Sequence, residues 1–416
     1  MSNKLVNNIG YLMLLQITSI VLPLLSIPYI LSIIGASNYG YLALATAVVL
    51  MMEVIVDYGF QLPACKYVSQ NRQDKRKLTL IWFQVTLTKL VLYCAMMIVV
   101  FLLQLLGFVE KFLAILIYVG GLSSLGRVIY PQWLFQGLES LKAVSLIQIL
   151  TRIALFSSIF IFINEDSSLI LIQFLTNGSI FFGAILTIPF ILRTIDLRDL
   201  DAISKSDSGV VFNDSWQIFK SNLMVLMYSK SYLPLSASML TLDYIAYLSI
   251  ADRYCRSLIL MLNPIVSGFY PRVSALVLNN KHEAARLGLW VLIGSVSAAL
   301  IGTFVFNVLP TFWLEFIFNE IPPLGVNIFV VMSGLLVPMV ISETIKALFI
   351  IPFGMTNYIF TAYLFSGVFF IVGFIGLFFL KSLENVTYLL VSVEYFLASY
   401  LMIFLYRKGL GAYLVK

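Results

Sequence analysis

The chain has 416 residues, 61 % of them hydrophobic and 11 % charged, with a mean hydropathy of +0.98 and a net charge of +6. Soluble domains average about 45–50 % apolar and 25 % charged residues, so this excess is too large for a buried core and excludes a soluble protein. Helices that cross a bilayer need about 20 consecutive, mostly apolar residues, and such windows run from end to end. The expected fold class is an all-α polytopic membrane protein.

In chain order, apolar windows between polar breaks predict twelve transmembrane helices, at residues 9–34, 39–60, 78–106, 112–134, 143–163, 168–192, 212–235, 243–269, 287–309, 325–350, 356–380 and 385–406. The first run, Ile9 to Ile34, is too long for the apolar region of a signal peptide and lacks a small-residue cleavage site, so no cleavable leader is expected. Lys and Arg concentrate on the cytoplasmic side of membrane proteins. One side of the twelve-span layout holds sixteen of them, including Lys4, the run Lys66, Arg72, Lys75, Arg76 and Lys77, then Lys142, Arg193, Arg198, Lys205, Arg272, Lys281, Arg286, Arg407, Lys408 and Lys416. The other side holds only Lys111 and Lys381, near Glu110, Glu165, Asp166, Glu315, Glu320 and Glu384. Both termini are therefore expected in the cytoplasm. The longest polar segment, about 193–211, is too short for a soluble catalytic domain, so any chemistry belongs among the helices.

Weak internal echoes pair span two with span eight. Tyr41-Leu42 aligns on Tyr247-Leu248, Gly59-Phe60 on Gly268-Phe269, and Lys66-Tyr67-Val68-Ser69 on Arg272-Val273-Ser274. A six-helix unit repeats in the same orientation, which implies two parallel bundles, 1–210 and 211–416, related by an axis along the membrane normal.

Eight basic residues fall inside predicted spans: Lys89, Arg127, Arg152, Lys220, Lys230, Arg253, Arg256 and Lys346. Each would cost about 2.5–3.5 kcal/mol if it faced lipid at the bilayer centre, so they must face protein or water. Arg152, Asp252, Arg253 and Arg256 fall near the midplane. Lys89 and Lys220 fall in the inner half, and Arg127, Asp57, Glu343 and Lys346 toward the cytoplasmic mouth. On span seven, Asn213, Gln217, Lys220, Ser221, Tyr228 and Ser231 share one arc, a wet stripe on an apolar helix. Lys230 lies off that arc, where it can snorkel outward. Asp252 and Arg256 are spaced i,i+4 and Glu343 and Lys346 i,i+3, so each pair can neutralise itself. Lys89, Arg152, Lys220 and Arg253 have no acid at helical spacing on their own spans. A surplus of fixed positive charge in a low-dielectric cleft attracts anions, and Arg matches phosphate through its bidentate fork. The candidate substrate-binding set is therefore Lys89, Arg152, Lys220, Arg253 and Arg256, and the candidates for coupling or gating are Asp57, Asp252, Glu343 and Lys346, with Glu53 a further acid of that kind.

Cys65, Cys94 and Cys255 lie far apart and read as small apolar residues. His282 stands alone between Lys281 and Glu283 in a predicted polar loop, and one His without neighbouring ligands makes no metal centre. No cofactor, catalytic residue or nucleic-acid partner is expected.

Pro131-Gln132-Trp133-Leu134-Phe135-Gln136-Gly137-Leu138-Glu139 resembles the segment after the fourth span in Wzx-type O-antigen flippases. Ile34-Gly35-Ala36-Ser37-Asn38-Tyr39-Gly40 and Asp57-Tyr58-Gly59-Phe60 resemble that family's beginning, and Ala251-Asp252-Arg253, Pro264 and Tyr270-Pro271-Arg272-Val273-Ser274 resemble its second-half pattern. The resemblance implies membership of the multidrug/oligosaccharidyl-lipid/polysaccharide exporter superfamily, with two six-helix lobes around a central cavity. It further implies alternating-access transfer of undecaprenyl-pyrophosphate-linked oligosaccharide across the bacterial inner membrane. A proton or sodium gradient would drive it, and polysaccharide polymerase machinery would be its partner. The twelve-span layout fits the polysaccharide branch better than the fourteen-span lipid II branch. An ion-coupled drug or metabolite antiporter of the same superfamily is the alternative, though a cationic drug would want an acidic cavity. A membrane-embedded polymerase is a third reading, set against short outer loops. Within the 131–140 string, Trp133 and Phe135 are expected in the interfacial aromatic belt, Pro131 and Gly137 at a helix end and turn, and Glu139 as a cap on span five.

Overall fold

The computed structural model describes residues 3–407 except 166, 197–208, 238, 309–311, 313, 316, 318–322 and 356. Expectations on Asp166, Arg198, Lys205, Glu320, Lys408 and Lys416, and on the side chains of Lys4, Pro264 and Pro271, lie outside the described residues. Every regular element among the described residues is helical. Two compact units divide the chain, Met1–Leu223 and Met224–Lys416.

The N-terminal unit opens with α1, Asn3–Asp57, which accommodates Pro23 and Pro28 and is interrupted at Gly35, where φ 74 and ψ 170 leave the helical region. Only glycine takes that backbone freely. A run of 55 residues spans roughly 80 Å at 1.5 Å per residue, more than twice the ~30 Å hydrocarbon core, so the break at Gly35 separates two bilayer-length stretches. The helix ends where Tyr58 and Gly59 both turn left-handed, at φ 45 and 73. At Gly59 a Cβ would meet the Ser215 carbonyl oxygen at 2.6 Å, so glycine is required twice over.

After that turn come α2 (Gln61–Gln70), α3 (Lys75–Leu105), α4 (Lys111–Gly120), α5 (Leu122–Ile129), α6 (Gln132–Gly137), α7 (Lys142–Phe162) and α8 (Leu169–Thr194). Asp74 caps α3 by accepting from the Lys77 amide at 3.1 Å, and Ser168 caps α8 through the Leu171 amide. Helices α5 and α8 touch backbone to backbone at Gly126, whose Cβ would fall 2.7 Å from the Phe181 amide nitrogen.

The short helix α6 folds back on α2. A Cβ at Gly137 would lie 2.6 Å from Val68 and 2.8 Å from the Cys65 carbonyl oxygen, Gln61 donates to Gln136 at 3.1 Å, and Arg72 pairs with Glu139 at 2.5 Å. Trp133, Leu134 and Phe135 pack with Phe60, Val68, Leu78 and Ile81 in one buried cluster. Two expectations are corrected here. Trp133 and Phe135 are buried at 2 % and 3 % exposure and form core, not an interfacial belt, because α6 turns inward onto α2. Glu139 does not cap α7, whose first turn has no side-chain cap; its carboxylate is taken by Arg72.

Helix α9 (Gly209–Ser229) crosses the boundary between the units. The C-terminal unit continues with α10 (Tyr232–Ser236), α11 (Leu242–Asn279), α12 (Lys281–Val308), α13 (Pro323–Ser333), α14 (Leu336–Ile345), a π-helical turn at Lys346–Ile350, α15 (Asn357–Phe379) and α16 (Val386–Arg407). Helix α11 runs ten residues past the predicted end of span eight, and α12 begins at Lys281. The polar loop expected over 270–286 is therefore mostly helix, and His282 sits in the first turn of α12, where Asn280 accepts from its amide at 3.1 Å.

Among the described residues nine helical stretches are long and apolar enough to cross a bilayer, the first being Gly10–Gln70 at 61 residues. Helices α9 and α11 are not among the nine: Asn213, Asp214, Gln217, Lys220 and Asn222 lower the hydropathy of the first, and Asp252, Arg253 and Arg256 that of the second. The chain is a multi-pass membrane protein.

Candidate functional site

In the N-terminal unit the interior charges converge on a cavity of about 200 Å³, lined by Leu15, Ser19, Asp57, Gln61, Lys89, Arg127, Tyr130, Gln132, Gln148, Arg152 and Ile180. Seven helices contribute. Asp57 comes from the last turn of α1 and Gln61 from the first of α2, so the left-handed break between them sets both on the wall. Lys89 comes from mid-α3, Arg127 from α5, and Gln148 and Arg152 from α7, where spacing of i,i+4 puts them on one face.

The charges are unequally satisfied. Lys89 donates to Asp57 Oδ1 at 2.7 Å, and Arg127 Nε lies 3.1 Å from Glu53 Oε2. Glu53 is itself buried and accepts from the Ser123 hydroxyl at 2.7 Å. Three cations thus face two carboxylates, and Arg152 is the one left over. Its guanidinium makes one long bond, 3.4 Å, to the Leu15 carbonyl, and it forms no ion pair among the described residues. One turn earlier on the same face, Gln148 is 4 % exposed, its carboxamide oxygen wedged against Gly183 of α8 and its Nε2 without a hydrogen-bond partner among the described residues. Buried donors are nearly always satisfied. Two donors on one wall that are not, one of them cationic, suit an anionic or oxygen-rich ligand.

Lys89 was expected to lack an acid because none lies on its own span. Its partner Asp57 comes from α1, 32 residues earlier. The structure brings Asp57, Lys89 and Arg152 together and adds Arg127, Tyr130 and Gln148, which sequence reading left out of the site. Helical spacing offered a signal for Gln148, four residues before Arg152.

The remaining candidates lie elsewhere. In the C-terminal unit, Arg256 Nε donates to Asp252 at 2.6 Å and its Nη1 stands 3.9 Å from Glu394 on α16. Lys346, at the start of the π-helical turn, bonds Glu343 at 2.7 Å and also Tyr363. Both local pairs read from spacing are therefore formed. Glu394, 3 % exposed, is a member of this network that sequence reading left aside. Arg253 is exposed and forms no ion pair with it among the described residues. Lys220, on the polar stripe of α9, is half-buried and does not line the cavity.

Residues 5–277 match the family described as polysaccharide biosynthesis protein, well over half of the chain. The chain belongs to that family. Proteins similar to it include one from Escherichia coli (strain K12), named for O-antigen transport, which is 29 % identical over 280 residues covering 67 % of each chain. A second, from Shigella dysenteriae and named in the same way, is 24 % identical over 275 residues covering 65 % of this chain and 67 % of its own. Among solved structures, the inward-facing conformation of a multidrug resistance MATE family transporter of the MOP superfamily superposes with a TM-score of 0.69 at 13 % identity, over 96 % of this chain and 98 % of that one. At that identity the likeness shows the fold. All-α class and family both agree with the reading of the sequence.

Proposed function

We propose that this protein is a flippase that moves undecaprenyl-pyrophosphate-linked oligosaccharide, an O-antigen or related surface-polysaccharide repeat unit, from the cytoplasmic to the periplasmic leaflet of the bacterial inner membrane. The observation that carries the reading is Arg152: a deep cation on a polar cavity wall, with no carboxylate partner among the described residues, in a polysaccharide biosynthesis protein with a transporter fold. Family membership and the names of the two relatives support the substrate class.

In this mechanism twelve spans form two parallel six-helix lobes, residues 1–210 and 211–416, with both termini in the cytoplasm. Arg152 takes one phosphate by its fork while Gln148 and Gln61 donate to further oxygens, and the lipid tail stays in the bilayer. Lys89 and Arg127 are held by Asp57 and Glu53, so they set the potential of the wall without being fully available as ligands. Alternating access then exposes the head group to the periplasm. An ion gradient, of H+ or Na+, supplies the drive, with Asp57 the cavity's own acid, and polysaccharide polymerase machinery receives the product.

Arg152→Ala is expected to abolish surface polysaccharide in a strain that depends on this gene, with the folded protein still present in the membrane. Arg152→Lys keeps the charge but loses the fork and should restore only part of it. Full polysaccharide with Arg152→Ala would overturn the assignment. The second reading, a drug antiporter of the same superfamily, draws on the solved multidrug transporter; it requires gradient-dependent export of a cationic dye, which a surplus cation in the cavity opposes.

A further inference from the structure

Helix α9 carries the wet stripe that the cavity does not use. Asn213, Trp216, Gln217 and Lys220 are spaced i, i+3, i+4 and i+7, so they share one face. Asn213 and Gln217 are exposed, and Trp216 is 43 % exposed. A hydrocarbon-facing surface does not carry two exposed carboxamides, so this face of α9 meets water or a polar ligand, and the indole meets it too.

The ring is not loose. Tyr58 stacks on Phe219 with centroids 5.0 Å apart at 20°, and on Trp216 at 6.0 Å and 30°, while Trp216 lies 5.6 Å from Phe219. Phe60 backs Tyr58 at 5.2 Å. Tyr58 reaches this stack from a left-handed backbone, φ 45, a conformation that costs a non-glycine residue and persists only where the surroundings enforce it. Its neighbours in sequence, Asp57 and Gln61, line the cationic cavity. The aromatic shelf and the phosphate-suited wall therefore diverge from one five-residue turn.

A flat ring flanked by amide donors matches a pyranose. Its C–H face lies on the indole as a nucleobase lies on an aromatic side chain, and its hydroxyls find the carboxamides beside it. We propose that Trp216, held by Tyr58 and Phe219, is a stacking platform for a sugar ring of the translocated saccharide, with Asn213 and Gln217 as its hydrogen-bonding flanks. The platform rests on the flippase reading for the identity of its ligand but not for its geometry. It gives the saccharide a contact separate from the one made by the phosphates.

The test compares Trp216→Ala, Trp216→Phe, Trp216→Tyr and Trp216→Leu in a strain deleted for the gene, with surface polysaccharide measured at matched amounts of membrane protein. Trp216→Ala and Trp216→Leu should lose about tenfold, the scale of one lost stacking contact, while Trp216→Phe and Trp216→Tyr restore most of it. Leucine keeps an apolar side chain at that depth without a ring, so rescue by leucine as good as that by phenylalanine would overturn the platform. In parallel, the purified wild-type protein is titrated with oligosaccharide released by mild acid from the host's own surface polysaccharide. A saturable change in tryptophan emission is expected, absent from Trp216→Phe; persistence of the change in that variant, or no change in the wild type, also overturns it. If the deletion strain itself keeps its polysaccharide, the flippase reading fails, and the emission titration then decides the platform alone.

Discussion

In the N-terminal unit Lys89, Arg127 and Arg152 face two carboxylates, Glu53 and Asp57, while in the C-terminal unit Arg256 and Lys346 face three, Asp252, Glu343 and Glu394. The residue types are the same and the outcomes differ. Each C-terminal cation finds its nearest acid on its own stretch of helix, three or four residues away, so the pair forms without help from the rest of the fold. Tyr363 and Met339 complete the contacts. Each N-terminal pair joins two different helices, and Arg152 has no acid to meet. What is left there is a cavity with unsatisfied donors. A buried charge whose partner is local tends to be structure, whereas one whose partner is remote or missing leaves room for a ligand.

Breaking the C-terminal network gives the largest effect on stability. Asp252→Ala strands Arg256 in a buried site and is expected to cost about 3–5 kcal/mol, read as a fall in the melting temperature of the detergent-solubilised protein. An unchanged melting temperature would remove the structural reading of that cluster. In the N-terminal unit Lys89→Met should cost less, about 1–2 kcal/mol, because the Asp57 side chain it leaves is 40 % exposed and water can compensate it. The exposed Arg72–Glu139 pair sharpens the contrast from outside: Arg72→Ala should cost under about 1 kcal/mol, and less still at high salt. Gln148→Met is the smallest on stability, within about 0.5 kcal/mol, because it removes a buried donor that had no partner. That variant should nonetheless lower surface polysaccharide output, and normal output from it would take Gln148 off the ligand wall.

The same distinction explains what could be read from the sequence. Apolar windows and the scarcity of charge were enough for the all-helical membrane class. The depth of Lys89 and Arg152 was enough to single them out, since both the windows and the outliers are local features. The pairing of Lys89 with Asp57 was not legible, because it depends on how α1 and α3 pack. Arg127, read only as lying toward the cytoplasmic mouth, is placed on the wall by α5. The 131–140 string was legible as a hinge but not in its direction. Two aromatics beside Pro131 look like an interfacial belt until α6 is seen folded onto α2, where Gly137 lets the backbones close. The paired glycines of the internal echo also part company. Gly59 ends a helix at positive φ, whereas Gly268 lies within α11, so similar letters carry different backbone roles in the two units.

The π-helical turn at Lys346–Ile350 changes how the C-terminal unit tolerates insertion and deletion. Such a turn holds one residue more than the α-helical count, as the Ile351 amide bonding back to the Lys346 carbonyl records. Deleting one residue inside it would leave an unbroken α-helix rather than a gap. The wide turn takes up its surplus residue locally, so the helix would be mended with the side chains beyond it still facing as they do now. Leu348 and Phe349, which share a packed cluster with Ala284 and Ala285 of α12, lie inside the turn and would be the ones to shift, while Lys346 stayed with Glu343. That single surplus residue is thus a local slack in the unit, and a chain shortened by one there should fold in register with its own charges.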